Sequence, residues 1–311
     1  MTILLQMNDA DAAETWRAAL RRELPDMAIA VYPDEIRDPS AIAYAVVWKP
    51  PRGMLATLPN LRAILCTGAG VDHLTSDPEL PRNVPVVRMV DPGMTARMTE
   101  YVVHAVLHHH RRMREYTAQQ ETRTWRELPV PLGQDRHVGI LGLGELGSDA
   151  ARVLHTLRFD VAGWSATRKH LDGVASFAGN AELSAFLART EILVCLLPLT
   201  GTTRGILNRD VLGRLPAGAC LINAARGALL VESDLLHLLS TGRIAEATLD
   251  VFHEEPLPDT HPFWGHPRIR VTPHVASATP PETAAARIAE NVRAMQAGHR
   301  PWPIVDMAEG Y

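Results

Sequence analysis

The chain has 311 residues, of which 46% are hydrophobic and 21% charged, and its formal net charge is −4. This length predicts two domains of ordinary size, and this composition is typical of a globular protein. The acidic balance argues against nucleic acid as the main partner, because binding to phosphates needs clustered Lys and Arg. No apolar run of about eighteen residues is present, so no membrane span is expected.

Three local features bear on the compartment and on metals. The N-terminal residues 1–8 are expected to form a strand and lack the pattern of a signal peptide, which predicts a cytoplasmic protein. Cys66, Cys195 and Cys220 each lie inside an apolar run without metal-ligand spacing, which predicts buried, reduced thiols. The basic stretch His108–Arg114 is expected to be the solvated end of a helix. Its three successive histidines are weak evidence for a metal site, because neighbouring residues on a helix point in different directions.

The first 90 residues carry five short apolar runs that predict the strands of a small α/β domain. These runs are Ile3–Met7, Ile29–Tyr32, Tyr44–Trp48, Ala63–Thr67 and Val86–Val90. One long helix is expected over Thr95–Tyr116, leading into a second domain.

Strand and helix signals alternate from residue 137 onward, which predicts a doubly wound, mostly parallel sheet with its ligand at the carboxyl ends of the strands. The strands are expected over His137–Leu141, Phe159–Trp164, Glu191–Leu197, Ala219–Asn223, Glu246–Val251 and Ile269–Thr272. The helices are expected over Ser148–Leu157, Leu183–Arg189, Arg209–Arg214 and Ser233–Ser240, and a last helix over Pro280–Ala297.

The predicted fold class is therefore α/β, with two doubly wound parallel-sheet domains of the Rossmann or flavodoxin-like type. A substrate-binding domain is expected over residues 1–98, completed by residues 281–311, and a dinucleotide-binding domain over residues 99–280. A cleft between the two is expected, because a small ligand and a cofactor can meet there with water excluded.

A glycine motif, Gly142-x-Gly144-x-x-Gly147, follows the strand at His137–Leu141 and precedes a helix. The motif alone is weak evidence, but this context is typical of a dinucleotide-binding turn. Gly142 would make the tight turn, Gly144 would let the backbone approach the pyrophosphate, and Gly147 would permit close packing of helix on strand. In the alternative interpretation the glycines serve only the turn.

The end of the next strand decides the choice of cofactor. Where an acidic residue normally binds the ribose hydroxyls of NAD, this chain has Ser165, Thr167, Arg168 and Lys169. Two cations and two hydroxyls suit a 2′-phosphate, so NADP(H) is predicted, with NAD(H) as the alternative. That alternative leaves Arg168 and Lys169 facing solvent.

Arg226, Glu255 and His274 stand after three successive apolar runs. The guanidinium fork of Arg226 suits the two oxygens of a carboxylate. Contact with Glu255 would favour the imidazolium of His274 and raise its pKa, as an acid for carbonyl reduction requires. The trio predicts a 2-keto acid reductase, against the alternatives of a surface ion pair for Arg226 and a hydrogen-bonded loop position for His274.

The glycine-rich turn Gly68–His73 invites a catalytic role for Asp72 or His73. We favour a different interpretation, in which the backbone N–H groups of this turn bind a carboxylate.

With these residues identified, the chain resembles the D-2-hydroxyacid dehydrogenase family from end to end. The segments that carry the resemblance include Val46–Pro51, Ser176–Gly179, Leu196–Pro198, Leu249–Phe252 and Thr272–Ala276. The resemblance implies an NADPH-dependent reductase of small 2-keto acids such as glyoxylate and hydroxypyruvate, acting as a homodimer.

The resemblance also implies roles for individual residues. Arg226, Glu255 and His274 match the catalytic arginine, glutamate and histidine. Asp250 would hold the nicotinamide carboxamide, and Trp48 with the backbone of Ala69, Gly70 and Val71 would bind the substrate. Further cofactor contacts are implied at Glu145, Leu146, Leu197, Pro198, Thr203 and Ala224.

Two positions bear on the cofactor and on the reaction. Ala166 stands where reductases of this type carry a further arginine, which weakens the expected preference for NADP(H). Glu255, where formate-oxidising relatives carry glutamine, favours a keto acid reductase, and so does the length of 311 residues. The other functions considered are a reductase of a bulkier acid, of the phenylpyruvate or 2-ketogluconate type, and a non-catalytic NAD(P)-sensing protein.

Overall fold

A computed structural model describes residues 1–311 and contains twelve strands and nine α-helices. The strands are β1 (Thr2–Gln6), β2 (Ala28–Val31), β3 (Ile42–Val47), β4 (Ala63–Cys66), β5 (Val86–Val87), β6 (His137–Leu141), β7 (Asp160–Ser165), β8 (Ala175–Ala178), β9 (Ile192–Cys195), β10 (Ala219–Asn223), β11 (Ile244–Leu249) and β12 (Ile269–Val271). The helices are α1 (Ala10–Glu23), α2 (Asp72–Thr75), α3 (Pro92–His110), α4 (Met113–Glu121), α5 (Glu145–Thr156), α6 (Gly179–Arg189), α7 (Arg209–Leu212), α8 (Glu232–Ser240) and α9 (Pro281–Gln296).

The chain divides into two compact units. The first unit comprises Met1–Met94 and Ala278–Tyr311, and the second unit comprises Thr95–Ser277. Each unit has its own sheet, and every strand ladder in both sheets is parallel. The predicted α/β class with two parallel sheets is confirmed.

The sheet of the first unit has the order β2-β1-β3-β4-β5. All six residues of β3 are buried, as expected of a parallel strand covered on both faces, and α1 packs against α9. Because β3 and β4 are parallel neighbours, their carboxyl ends lie at the same edge of the sheet. Trp48, which follows β3, and the Gly68–His73 turn, which follows β4, therefore come together.

The sheet of the second unit has the order β12-β11-β10-β9-β6-β7-β8. The chain starts in the interior at β6, builds outward through β7 and β8, and then crosses back to β9. The order reverses at β6 and β9, where doubly wound sheets bind their ligands. The glycine motif after β6 thus occupies the switch point, and the carboxyl ends of β10, β11 and β12 follow along the same edge.

The predicted strands of the second unit are all present, with ends shifted by at most two residues. The sequence pattern does not predict β8, because its four residues lie at the sheet edge and are all partly or fully exposed.

The single helix predicted over Thr95–Tyr116 is wrong. The structure has α3 and α4 instead, separated at Arg112, which adopts a left-handed φ of 57°. Neither glycine nor proline marks this break in the sequence, and the Arg112 side chain supports it by donating from Nε to Glu115 Oε1 at 2.9 Å. None of the nine helices combines the length and apolar character needed to cross a membrane.

Candidate active site

The glycine turn after β6 has no room for side chains at two of its three glycines. Gly142 has a φ of 103°, and a Cβ there would lie 2.7 Å from the Leu196 carbonyl oxygen. A Cβ on Gly147 would lie 1.9 Å from the Gly142 carbonyl oxygen, whereas a Cβ on Gly144 would meet nothing within 4 Å. The turn therefore needs glycine at Gly142 and Gly147 for its own packing, and it leaves open space beside Gly144.

The N-terminus of α5 faces this open space. Gly144 provides no side-chain cap, so the N–H groups of Glu145, Leu146 and Gly147 have no acceptor within the helix. Unpaired donors at the positive end of a helix form a site for phosphate. An open space without side chains at a helix N-terminus is suited to the pyrophosphate of a dinucleotide.

The strand β7 ends beside a carboxylate that the sequence pattern did not predict. The Arg168 guanidinium forms an ion pair with Glu182 of α6 and also donates to the Ser176 carbonyl oxygen. Glu182 accepts the Ala178 N–H at 2.8 Å, and this bond, together with the Arg168 guanidinium, holds the pKa of Glu182 below its ordinary value. An acidic residue in the first turn of a helix was the available signal, since such residues often cap the helix.

The other predicted ligands after β7 are also partly engaged within the chain. Ser165 Oγ donates to the Thr167 carbonyl oxygen at 2.7 Å, and the Lys169 backbone N–H donates to Ser176 Oγ at 3.3 Å. Thr167, Arg168 and Lys169 are exposed. Their side chains are thus accessible at the carboxyl end of β7.

A second group of predicted cofactor contacts follows β9 and β10. Leu197 and Ala224 are buried, and the Ala224 N–H donates to the Cys195 carbonyl oxygen at 3.4 Å. Thr203 Oγ1 donates to the Pro198 carbonyl oxygen at 2.6 Å, which closes a small turn. Leu197, Pro198 and Thr203 follow β9 and so lie beside the glycine turn, because β9 and β6 are neighbours. Ala224 follows β10, the next strand along the sheet.

Glu255 and His274 are in direct contact. His274 Nδ1 lies 2.8 Å from Glu255 Oε2, and the other oxygen, Oε1, accepts the Phe252 N–H at 3.1 Å. Because an ionised carboxylate only accepts hydrogen bonds, Nδ1 carries the hydrogen in this pair. Both side chains keep part of their surface exposed, so the pair is held in place and remains accessible.

Asp250 organises the segment that carries His274. Its buried carboxylate accepts hydrogen bonds from Thr272 Oγ1 at 2.6 Å, from the Val275 N–H at 2.9 Å and from the Ala276 N–H at 2.9 Å. The Asp250 carbonyl oxygen accepts the His274 N–H at 2.8 Å. His274 has a left-handed φ of 54°, which is uncommon for a residue other than glycine and is here stabilised by bonds on both sides.

A tyrosine outside the predicted set joins this segment. Tyr101 of α3 lies with its hydroxyl 2.7 Å from Thr272 Oγ1. Burial raises the pKa of Tyr101 to about 12, so it stays a neutral hydrogen-bonding partner. No local pattern predicts this contact, because α3 is remote from Thr272 along the chain.

Arg226 lies where the chain leaves β10. Asn223 ties the turn together: its Nδ2 donates to the Arg226 carbonyl oxygen at 3.1 Å and its Oδ1 accepts the Ala225 N–H at 3.2 Å. A Cβ on Gly227 would lie 1.9 Å from the Phe252 carbonyl carbon, so this backbone passes directly against the segment after β11. The guanidinium itself donates from Nη1 to the Ala225 carbonyl oxygen at 2.8 Å.

The first unit presents backbone donors at the carboxyl end of β4. The N–H groups of Ala69, Gly70 and Val71 form no hydrogen bond within the chain. Three successive free N–H groups ahead of a short helix, α2, are suited to an anion. Trp48 lies beside them and packs on Gly68, where a Cβ would lie 2.2 Å from the indole Cζ3.

Comparison with known proteins places these features in one family. A model of the D-isomer specific 2-hydroxyacid dehydrogenase NAD binding domain matches residues 103–276. The chain is 44% identical to the glyoxylate/hydroxypyruvate reductases A of Yersinia enterocolitica and of Serratia proteamaculans, over 304 residues that cover 96% of this chain and 96% of each relative.

Solved structures agree with the sequence relatives. A D-isomer specific 2-hydroxyacid dehydrogenase from Xanthobacter autotrophicus Py2, in complex with NADPH and MES, is similar with a TM-score of 0.95 and 42% identity, covering 100% of this chain and 99% of that one. An NADPH-dependent glyoxylate/hydroxypyruvate reductase from Sinorhizobium meliloti, in complex with NADP and sulfate, is similar with a TM-score of 0.94 and 38% identity, covering 100% of both chains. This chain belongs to the D-isomer specific 2-hydroxyacid dehydrogenase family.

Proposed function

We propose that this chain catalyses the NADPH-dependent reduction of glyoxylate to glycolate and of hydroxypyruvate to D-glycerate. The observation that carries the proposal is the contact of Glu255 with His274 at the carboxyl edge of a dinucleotide-binding sheet. The substrate and the preference for NADPH are supported by the names of the similar proteins, which include glyoxylate/hydroxypyruvate reductases and a complex with NADPH.

His274 is proposed as the acid that protonates the substrate oxygen. Its Nδ1 is held by Glu255, so Nε2 is the ring atom left to carry a proton to the substrate. The carboxylate of Glu255 accepts the Nδ1 hydrogen and thereby fixes the orientation of the ring. Glu255 and His274 thus act as a pair in which one residue orients and the other transfers the proton.

The substrate carboxylate is proposed to bind Arg226 and the N–H groups of Ala69, Gly70 and Val71. The planar guanidinium suits two carboxylate oxygens, and successive N–H groups suit one. Trp48 is proposed to contact the rest of the substrate. These donors would orient C2 of the keto acid for reduction.

The cofactor is proposed to bind along the carboxyl edge of the second sheet. The pyrophosphate would lie on Gly142, Gly144, Glu145, Leu146 and Gly147, and the 2′-phosphate on Ser165, Thr167, Arg168 and Lys169. The nucleotide and nicotinamide would contact Leu197, Pro198, Thr203, Ala224 and Asp250. When bound, the reduced nicotinamide supplies the hydride for C2.

Asp250 is proposed to hold the nicotinamide carboxamide as well as the His274 segment. A carboxylate has about four lone-pair positions, and three of these are used by Thr272, Val275 and Ala276. The fourth position remains for an amide donor.

A homodimer formed through the second unit is also proposed. It is supported by exposed apolar side chains in one stretch of that unit, namely Met113, Trp125 and Leu132. Light scattering on a sizing column would measure the mass in solution, and a monomer at all concentrations would contradict the dimer. A cytoplasmic location is proposed in addition, supported by three cysteines that form no disulfide, which suits a reducing compartment.

A panel of keto acids tests the proposed function. NADPH or NADH is supplied with glyoxylate, hydroxypyruvate, pyruvate, phenylpyruvate and 2-ketogluconate, and oxidation of the cofactor is followed by its absorbance. We expect the highest kcat/KM with glyoxylate or hydroxypyruvate and with NADPH. A preference for phenylpyruvate or 2-ketogluconate would refute the substrate assignment, a preference for NADH would refute the cofactor assignment, and binding of NADPH without any turnover would indicate a sensing protein.

A further inference from the structure

His73 is a chemically capable residue that the proposed mechanism does not use. It lies in α2, directly after the turn that carries the free N–H groups of residues 69–71. Its ring meets the Trp48 indole edge to face, with ring centroids 4.9 Å apart and an interplanar angle of 64°. The edge-to-face arrangement is one of the geometries that aromatic rings prefer.

The indole of Trp48 is confined on a second side by Gly68. A Cβ on Gly68 would lie 2.2 Å from the indole Cζ3, so the ring lies directly on the backbone of this residue. That backbone is itself fixed, because the Gly68 N–H donates to Cys66 Sγ at 3.4 Å and its carbonyl oxygen accepts the Met89 N–H at 3.0 Å. The ring cannot move toward Gly68.

The imidazole of His73 has an anchor of its own. Its Nε2 lies 3.9 Å from Cys66 Sγ, and Cys66 is buried at the end of β4. The ring therefore bridges a fixed strand end and the Trp48 indole. Removing it takes away the aromatic contact that holds the indole on this side.

We propose that His73 is a positioning residue that locks the Trp48 indole beside residues 69–71 and thereby restricts the substrate to keto acids about as small as hydroxypyruvate. This inference rests on the proposed function, in which residues 69–71 bind the substrate carboxylate. A substituent on C2 extends only a few bond lengths from that carboxylate, so a fixed indole nearby limits its size. An aromatic substituent needs the indole to swing aside, and His73 prevents that movement.

The test compares His73→Ser, which removes the ring, with His73→Phe, which retains an aromatic edge at the same place. The measurement is the ratio of kcat/KM for phenylpyruvate to kcat/KM for glyoxylate. We expect the ratio to rise about tenfold in His73→Ser, the usual scale of discrimination by pocket shape, and to stay near the wild-type value in His73→Phe. His299→Ser, at an exposed histidine of the same unit, is the matched control and should leave the ratio unchanged.

A ratio in folded His73→Ser equal to that of the wild type would overturn the inference, as would an equal rise in His73→Phe. If His73→Ser does not fold, His73→Asn decides, because it also lacks the aromatic ring and should also raise the ratio. A wild-type chain that reduces phenylpyruvate as well as glyoxylate would refute this inference and leave a keto acid reductase in place. A wild-type chain that reduces no keto acid would refute the proposed function instead.

Discussion

The glycine turn after β6 and the Glu255–His274 pair lie at the same edge of one sheet, but they work by opposite means. The turn offers backbone N–H groups, and its geometry depends on the absence of side-chain atoms at Gly142 and Gly147. The pair offers side chains: Glu255 accepts the N–H of Phe252 in its own segment and in turn holds the His274 ring. The turn should therefore be sensitive to added atoms and the pair to removed ones.

The largest effect is expected at the pair. His274→Ala removes the proposed proton donor without adding bulk, and should lower kcat by about 10² or more, the usual scale of general acid catalysis. Steady-state kinetics with glyoxylate and NADPH measure this loss, and His299→Ala serves as the control. A kcat near the wild-type value would remove His274 from the mechanism.

Gly147→Ala and Gly144→Ala separate packing from binding in the turn. The Cβ of the first variant would lie 1.9 Å from the Gly142 carbonyl oxygen, so we expect its free energy of unfolding to fall by about 3 kcal/mol. The Cβ of the second variant meets nothing within 4 Å, and its stability should stay within about 1 kcal/mol of wild type. Denaturant unfolding compares the two variants. Equal losses of unfolding free energy would show that steric space does not decide which glycines the turn requires.

Gly144→Ala has a second readout. If the open space beside Gly144 receives the pyrophosphate, this variant should fold normally and yet bind NADPH more weakly, because the added methyl group displaces the phosphate from the helix N-terminus. Titration calorimetry measures the affinity. Unchanged NADPH affinity would place the cofactor elsewhere.

A smaller effect is expected at the end of β7, where recognition again depends on a side chain. Arg168→Gln should raise KM for NADPH about tenfold and leave KM for NADH unchanged, since only NADPH carries a 2′-phosphate for this guanidinium. The ion pair with Glu182 reduces the expected loss, because Arg168 is already partly neutralised. Arg152→Gln, at an exposed position of α5, is the matched control. Equal changes for both cofactors would indicate a structural role.

The smallest effect concerns stability away from both regions. Burial lowers the pKa of His108 from 6.5 to about 4, and the charges of Arg270, His109 and His104 add to this shift against the opposing charge of Glu246. Between these pH values the unfolded chain binds a proton that the folded chain does not, so this group costs stability as the pH falls from about 6.5 to about 4. His108→Gln should therefore show a smaller fall in Tm over this range than the wild type. An identical fall in both proteins would show that His108 does not contribute.

The parts of the site that were predictable follow from strand order. Glu255 and His274 come after β11 and β12, and consecutive parallel strands that pair directly bring their carboxyl ends together. The glycine turn was predictable for the same reason, since its motif spans a strand end and a helix start. Both predictions combined the alternation of apolar runs with the residue types at the strand ends.

Contacts made by helices could not be predicted in this way. The pairing of Glu182 with Arg168 depends on how α6 turns its first residues toward β7, and the contact of Tyr101 with Thr272 depends on the rotation of α3. The helix break at Arg112 is not marked in the sequence by glycine or proline. Such features are fixed by tertiary packing, which local patterns do not encode.

The carboxylate of Asp250 has a consequence for the outermost strand. β12 is three residues long, pairs only with β11 and is not fully buried. The backbone hydrogen bonds to β11 alone therefore hold it only weakly in the sheet. Asp250, directly after β11, accepts three hydrogen bonds from the chain beyond β12 and so holds that segment at the edge of the sheet. Transferring His274 of this enzyme into another scaffold would therefore require Asp250 as well, because the position of the imidazole depends on a residue at the end of the neighbouring strand.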